Sequence, residues 1–401
     1  MEYLRTSDAL SVVCAQARCA GIMFLDLEFI RERSYVPQLA LIQMVVGDTC
    51  VIIDPLDIHD LSPLFALVSC PDILKVLHAA GQDLEILYWH SGKTPAAIFD
   101  TQIAAALVGL GDQLSYGRLV ESLLGVTLIK GESYSDWLLR PLTAAQLSYA
   151  VDDVRYLPAL YHLLSARLEE MGRTSWAIEE FQKYDHPEPY QRHPRDLFRR
   201  IRRGRTLSAQ GLAILRELAE WREREAQRRD CPPGSVIRDE ALVALARKAP
   251  QSFDDLQRLR GLPRRELEQS AMEFLQAVAR GLAVTEAERP QATQQWRLTQ
   301  VEKLMVKFLD TCLGALCQQH RLSAACVGNR ADLEELVHRY RRGCLQIEKC
   351  RIVNGWRGTL VGRDLLAILA GRIGVQLDPQ TGGMQFTSPP FTAHSDIAED
   401  P

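Results

Sequence analysis

Two carboxylates, Asp26 and Glu28, stand two positions apart inside the otherwise apolar run GIMFLDLEFI. That run reads as a buried strand. The two-residue period of a strand sends both acids to one face, while Leu25, Leu27 and Phe29 point to the other. Two anions side by side on an apolar strand are costly unless something neutralises them, and a divalent cation does so. The plain alternative is a strand end with solvated acids. The runs LALIQMVVG and TCVIIDP follow as two more strands, with Gly47 and Asp48 supplying the turn between them. Such close spacing leaves no room for helical crossovers, so the sheet begins as an antiparallel meander. The pattern then alternates through LSPLFALVS, ILKVLHA, DLEILYWHSG, AAIFD and helical TQIAAALVGL, which predicts a mixed α/β sheet covered by helices.

Further carboxylates fall where such a fold could bring them to the same place. Asp83 follows the strand ILKVLHA and opens a helix, where a dipole or capping role is the bland reading. Tyr149 and Asp153 are four apart on a helix expected from about Ala144 onward, with a kink at Pro158, and so share a face. Asp152 is turned away from Asp153 by about 100° and is the poorer candidate for a ligand.

A chain of 401 residues is long enough for two or three domains. Its ten cysteines are scattered without a CxxC pair, which argues for reduced thiols rather than zinc ligands or disulfides. No apolar run approaches the roughly 20 residues of a membrane span, and the start MEYLRTSDAL lacks signal-peptide features. A cytoplasmic location without membrane contact is the expectation. The net charge of −4 hides an asymmetry: residues 1–191 carry 13 basic and 25 acidic side chains, whereas residues 192–280 carry 20 and 13. An acidic part suited to metal cations is thus joined to a basic part suited to a polyanion.

Taken together, the motifs FLDLEFIRERSYVPQLALIQ, HAAGQDLEIL and YAVDDVRYLPALY resemble, in order and separation, the three motifs of the ribonuclease D family of 3′-5′ exonucleases. The segment KGESYSDWLLRPLT is similar to the same family. In the branch that uses histidine, that residue lies five before the last acid; Ser148 occupies that place here, and Tyr149 fills the tyrosine position of the other branch. The resemblance implies a ribonuclease H-like sheet in which Asp26, Glu28, Asp83 and Asp153 bind two Mg²⁺ or Mn²⁺ ions. It also implies release of nucleoside 5′-monophosphates. Tyr149, with a reference pKa near 10, suits orienting the attacking water better than acting as a base. His78, in the second motif, reads as a packed histidine at a strand end. Lys130 and Arg140 are candidates to touch substrate phosphates, and Trp137 to stack a base or to fill the core.

The basic half begins with KYDHPEPYQRHPRDLFRRIRRGRTLS, read as a linker over residues 176–204 that merges into a basic helix. Arg199 and Arg202 in that run, and Arg222 on the next helix, are candidate nucleic-acid contacts, though Glu217, Glu220, Glu223 and Glu225 could absorb much of the charge. Residues 205–285, from LAILRELAEW to ELEQSAMEFLQAVARGL, are helical throughout and resemble the HRDC domain shared by helicases and ribonuclease D, a module that binds nucleic acid. A second linker spans 286–295. Residues 296–375 form another helical unit, similar to C-terminal segments of some members of the family and a candidate second HRDC-like bundle. Residues 376–401, rich in Pro, Gly, Ser and Thr, are expected to be a disordered tail.

The resemblance therefore implies an exoribonuclease that trims the 3′ ends of structured RNA such as precursor tRNA. One alternative keeps the chemistry and exchanges the polymer for single-stranded DNA. Another is an inactive nuclease fold that only binds nucleic acid, against which the presence of all four acids argues.

Overall fold

The computed structural model describes the chain except residues 130, 133–134, 260, 263, 292–297, 345–346 and 388–401. The described residues group into two compact units that are interleaved along the sequence. One comprises 1–99, 128–158 and 181–295; the other comprises 100–127, 159–180 and 296–401.

The first unit is built on a mixed six-stranded sheet. In chain order its strands are β1 (Glu2–Leu4), β2 (Ile22–Ile30), β3 (Gln38–Val46), β4 (Thr49–Ile53), β5 (Leu74–Leu77) and β6 (Ile98–Asp100). Their spatial order is β1-β4-β3-β2-β5-β6. The expected meander is present, with β2–β3 and β3–β4 antiparallel, whereas β1–β4 and β2–β5 are parallel. β1 is an addition: three residues carry too little periodicity to be recognised before the strand they pair with is known.

Register fixes which side chains share a face. Asp26 lies opposite Gln43, which lies opposite Ile52, while Glu28 lies opposite Leu41. Leu25 and Leu27 are buried on the other face, so β2 is covered on both sides. The helix Ala144–Arg155 packs over the acid-bearing face and starts on a capping box. The backbone N–H of Gln146 donates to the Thr143 hydroxyl at 3.1 Å, and that of Thr143 donates to Gln146 Oε1 at 2.9 Å. In place of one kinked helix, the chain breaks at Tyr156, ahead of Pro158, and restarts as Leu157–Glu170.

Still in the first unit, the helices Ala209–Arg229, Asp239–Lys248 and Arg264–Ala283 enclose an apolar core around Leu215, Leu218, Leu242, Leu245 and Phe274. A Cβ on Gly281 would lie 2.5 Å from the Cα of Ile214, so only glycine lets these two helices approach this closely. The preceding segment differs from the expected linker. Tyr184, Tyr190, Phe198 and Ile201 are all buried, the last two within the helical core, because 3-10 turns at Pro194–Arg200 and Arg202–Thr206 direct their apolar side chains inward.

The second unit is helical apart from one hairpin. Trp176 stacks on Trp356 with centroids 5.0 Å apart, and Arg357 donates to Glu180 at 2.5 Å, tying the Thr174–Phe181 helix to the C-terminal segment. Arg173 donates to the carbonyls of Leu107 and His320, both at 2.6 Å. The hairpin β7 (Gly374–Leu377) and β8 (Met384–Thr387) occupies the start of the stretch expected to be disordered; the remainder of that stretch lies outside the described residues. Among the described residues, no helix is long and apolar enough to cross a membrane.

Candidate metal centre

The strand period and the helix period meet at one point. A carboxylate oxygen from each of Asp26, Glu28 and Asp153 lies within 4.8 Å of the others, although Asp153 is more than a hundred residues away in sequence. Asp83, 8% exposed in the first turn of the helix Gly81–Ser91, completes the acidic surroundings. Burial first, and then the charges of Asp83, Asp153 and Glu28, drive the Asp26 carboxyl well above the usual carboxylate range. Burial, followed by repulsion from Asp153 and Asp83, raises Glu28 to about 8. Asp153 is raised to about 7 by burial and by Asp152, against the opposing pull of a hydrogen bond from Tyr149. Carboxyls this reluctant to ionise side by side form a donor set that a divalent cation would relieve, and hard oxygen donors suit such an ion.

Tyr149 is held from both ends. Its hydroxyl donates to Asp153, and its ring packs against Trp137 with centroids 5.9 Å apart. Asp152 pairs instead with Arg155 at 3.2 Å.

The expected nucleic-acid contacts divide. Trp137 is 2% exposed and packs with Ala40, Leu41, Ile52 and Ala150, so it fills the core and backs Tyr149 rather than stacking a base. The Arg140 guanidinium is engaged inside the protein. It binds both oxygens of Asp54, at 2.5 and 2.8 Å, and the carbonyls of Ala40, Trp137 and Leu139, which leaves no donor for a phosphate. Arg222 donates to Asp239 at 2.7 Å and to the carbonyl of Ile237 at 3.2 Å, bracing helices rather than facing a ligand. Arg199 and Arg202 are exposed, Arg199 lying 3.6 Å from Asp196. Lys130 lies outside the described residues.

Two features near the centre escaped the sequence. Asp54 is wholly buried; burial alone would raise its pKa, but hydrogen bonds from Arg140 and from the Tyr3 hydroxyl hold it below the ordinary value. Its only sequence signal was an acid at the end of the apolar run TCVIIDP. Gln43, opposite Asp26, was hidden until the β2–β3 register was known.

Residues 1–169 match a family model described as 3′-5′ exonuclease, and residues 211–278 match one described as HRDC domain. Curated relatives include a ribonuclease D from Gluconacetobacter diazotrophicus, 37% identical over 94% of this chain and 94% of its own. Another, from a Shewanella species, is 35% identical over 91% of this chain and 93% of its own. Among solved structures, the chain is similar to Escherichia coli RNase D, described as an exoribonuclease involved in structured RNA processing. The TM-score is 0.81 at 34% identity, covering 92% of this chain and 98% of that one.

Proposed function

The chain belongs to the ribonuclease D family of 3′-5′ exoribonucleases, and from that premise we propose that Asp26, Glu28, Asp83 and Asp153 hold two divalent cations, Mg²⁺ or Mn²⁺, with which it trims structured RNA such as precursor tRNA. It is a hydrolase that acts on RNA, and the family implies use of a divalent metal. The observation that carries the assignment of residues is the approach of Asp26, Glu28 and Asp153 to within 4.8 Å from a strand and a separate helix, with Asp83 acting on the same carboxyls.

When bound, such ions supply the positive charge that activates a water near neutral pH and stabilises the departing 3′ oxygen. The protein's own groups do the rest. Four carboxylates from three elements fix where that charge sits. An ordinary phenol is a poor base at neutral pH, and Tyr149 orients the water through the hydroxyl it gives to Asp153. Trp137, packed behind its ring, keeps that hydroxyl in place. Attack at the terminal phosphodiester releases nucleoside 5′-monophosphates. Exposed arginines of 199–205 offer the polyanion a landing surface that the acidic catalytic part lacks. A cytoplasmic location belongs to the same reading, supported by ten cysteines that all remain unpaired.

The test is incubation with 3′-extended tRNA and with single-stranded DNA, in Mg²⁺, in Mn²⁺ or in EDTA, alongside Asp153→Ala. Mononucleotides are expected from the tRNA with either ion and none in EDTA. Asp153→Ala should lose more than the roughly 100-fold that removing an outer hydrogen-bond partner of a ligand costs. Full activity in EDTA or in Asp153→Ala would sink the assignment, and equal rates on DNA would remove the preference for RNA.

A further inference from the structure

Gln43 and Asp26 are directly opposite each other in the antiparallel β2–β3 ladder, so their side chains leave the same face of the sheet. At such positions Cβ atoms lie about 5 Å apart, and a glutamine is long enough to bring its amide onto its neighbour's carboxylate. Gln43 is 0% exposed, and neither its Oε1 nor its Nε2 has a hydrogen-bond partner among the described residues. A buried amide in that condition is a standing cost, and the position has no evident packing reason to be polar. Two residues earlier, on the same face, the same strand places Leu41, and across the ladder on the other side stands Ile52; both are fully buried. The one polar neighbour that register assigns to the amide is Asp26.

We infer that Gln43 is a positioning residue of the metal centre: once a cation binds Asp26, the Gln43 Nε2, unpartnered in the metal-free chain, donates to the carboxylate oxygen that the cation leaves free and so fixes the orientation of that carboxylate. The inference rests on the metal reading given above and adds a residue to it. A carboxylate ligand has two oxygens and can rotate. An amide donor held by a rigid central strand selects one rotation, and outer partners of this kind typically govern metal affinity by 10- to 100-fold. Gln43 touches neither water nor substrate, which separates its role from that of Tyr149.

The experiment compares the full chain with Gln43→Met and Gln43→Leu, reading Mn²⁺ affinity by electron paramagnetic resonance, thermal unfolding without metal, and kcat and KM on RNA. Both variants are expected to fold with undiminished thermal stability, because the amide they lose makes no bond in the folded chain. Mn²⁺ affinity should fall roughly 10- to 100-fold. The kcat at fixed Mn²⁺ should fall with it, and KM for RNA should stay unchanged. Unaltered Mn²⁺ affinity in folded variants would overturn the inference while leaving the metal centre standing. Failure of both variants to fold would also overturn it, since the amide would then serve the fold. Absence of Mn²⁺ binding by the unsubstituted chain would overturn the metal reading and this inference together.

Discussion

Glu28 and Asp153, raised to about 8 and about 7, and Asp26, held well above the usual carboxylate range by burial, share a consequence that can be measured without substrate. Each carboxyl must give up its proton before it can hold a cation, so metal affinity should rise with pH across the interval from 6 to 8.5. With two protons displaced over part of that range, Mn²⁺ affinity at pH 8.5 should exceed that at pH 6 by more than roughly tenfold. A titration calorimeter checks this directly; affinity independent of pH would mean the acids are already ionised. The sign for stability is opposite. The folded, metal-free chain keeps protons that the unfolded chain loses above about pH 4.5, so its stability should decline as pH rises from there to about 8, and added Mn²⁺ should restore it. Of these residues, Asp26 and Glu28 were legible as a pair because the strand period alone places them together. Asp83 and Asp153 had bland readings as single residues and gained meaning through the motifs. Gln43 was illegible because its importance comes from a neighbour seventeen positions away, which only register supplies.

Elements placed the centre more reliably than they placed its surroundings. The periodic strands and the capped helix Ala144–Arg155 were readable from spacing. The segment around Trp137 and Arg140 stayed open between two readings because charge and aromaticity look alike whether they face a ligand or fasten a loop. Here they fasten it: Arg140 joins that segment to Asp54 just beyond β4, and Trp137 fills the space beneath Tyr149. Arg140→Ala should therefore act on stability. Asp54, 0% exposed, would keep its bond from Tyr3 but lose its cation, at a cost of about 3 kcal/mol. Thermal unfolding should move down accordingly while KM for RNA changes little. A raised KM with unchanged unfolding would instead return Arg140 to phosphate binding. The HRDC helix Ala209–Arg229 is likewise fastened to the catalytic sheet's own loop. The Tyr35 hydroxyl, seven residues beyond Glu28, donates to Glu223 at 2.5 Å and accepts from Gln227 at 2.9 Å, and the Tyr35 backbone N–H donates to Asp230 at 3.1 Å.

For the molecule as a whole, the division of charge is what sequence showed best, and the division into compact units is what it showed least. Linear reading assumes that consecutive residues stay together, yet residues 100–127 and 159–180 group with 296–401, through such ties as Arg173 to His320 and Trp176 to Trp356. Charge needs no such assumption. An acidic metal-binding part repels the phosphates it must cut, so affinity for RNA has to come from elsewhere. Many arginines of residues 192–280 are already committed: Arg222 to Asp239, Arg224 to Glu220, and Arg228 and Arg229 to Glu225. Arg200, Arg202 and Arg205 are exposed and have no ion pair among the described residues, which leaves their charge for a polyanion. Replacing all three with alanine should weaken RNA binding most at low salt. If each meets one phosphate of a single strand, the slope of log Kd against log salt should fall by about 2, from roughly 0.7 per contact. Filter binding of the metal-free chain between 50 and 200 mM salt reads that slope apart from catalysis. An unchanged slope would move the RNA-binding surface away from this segment, whatever the effect of the substitutions on turnover.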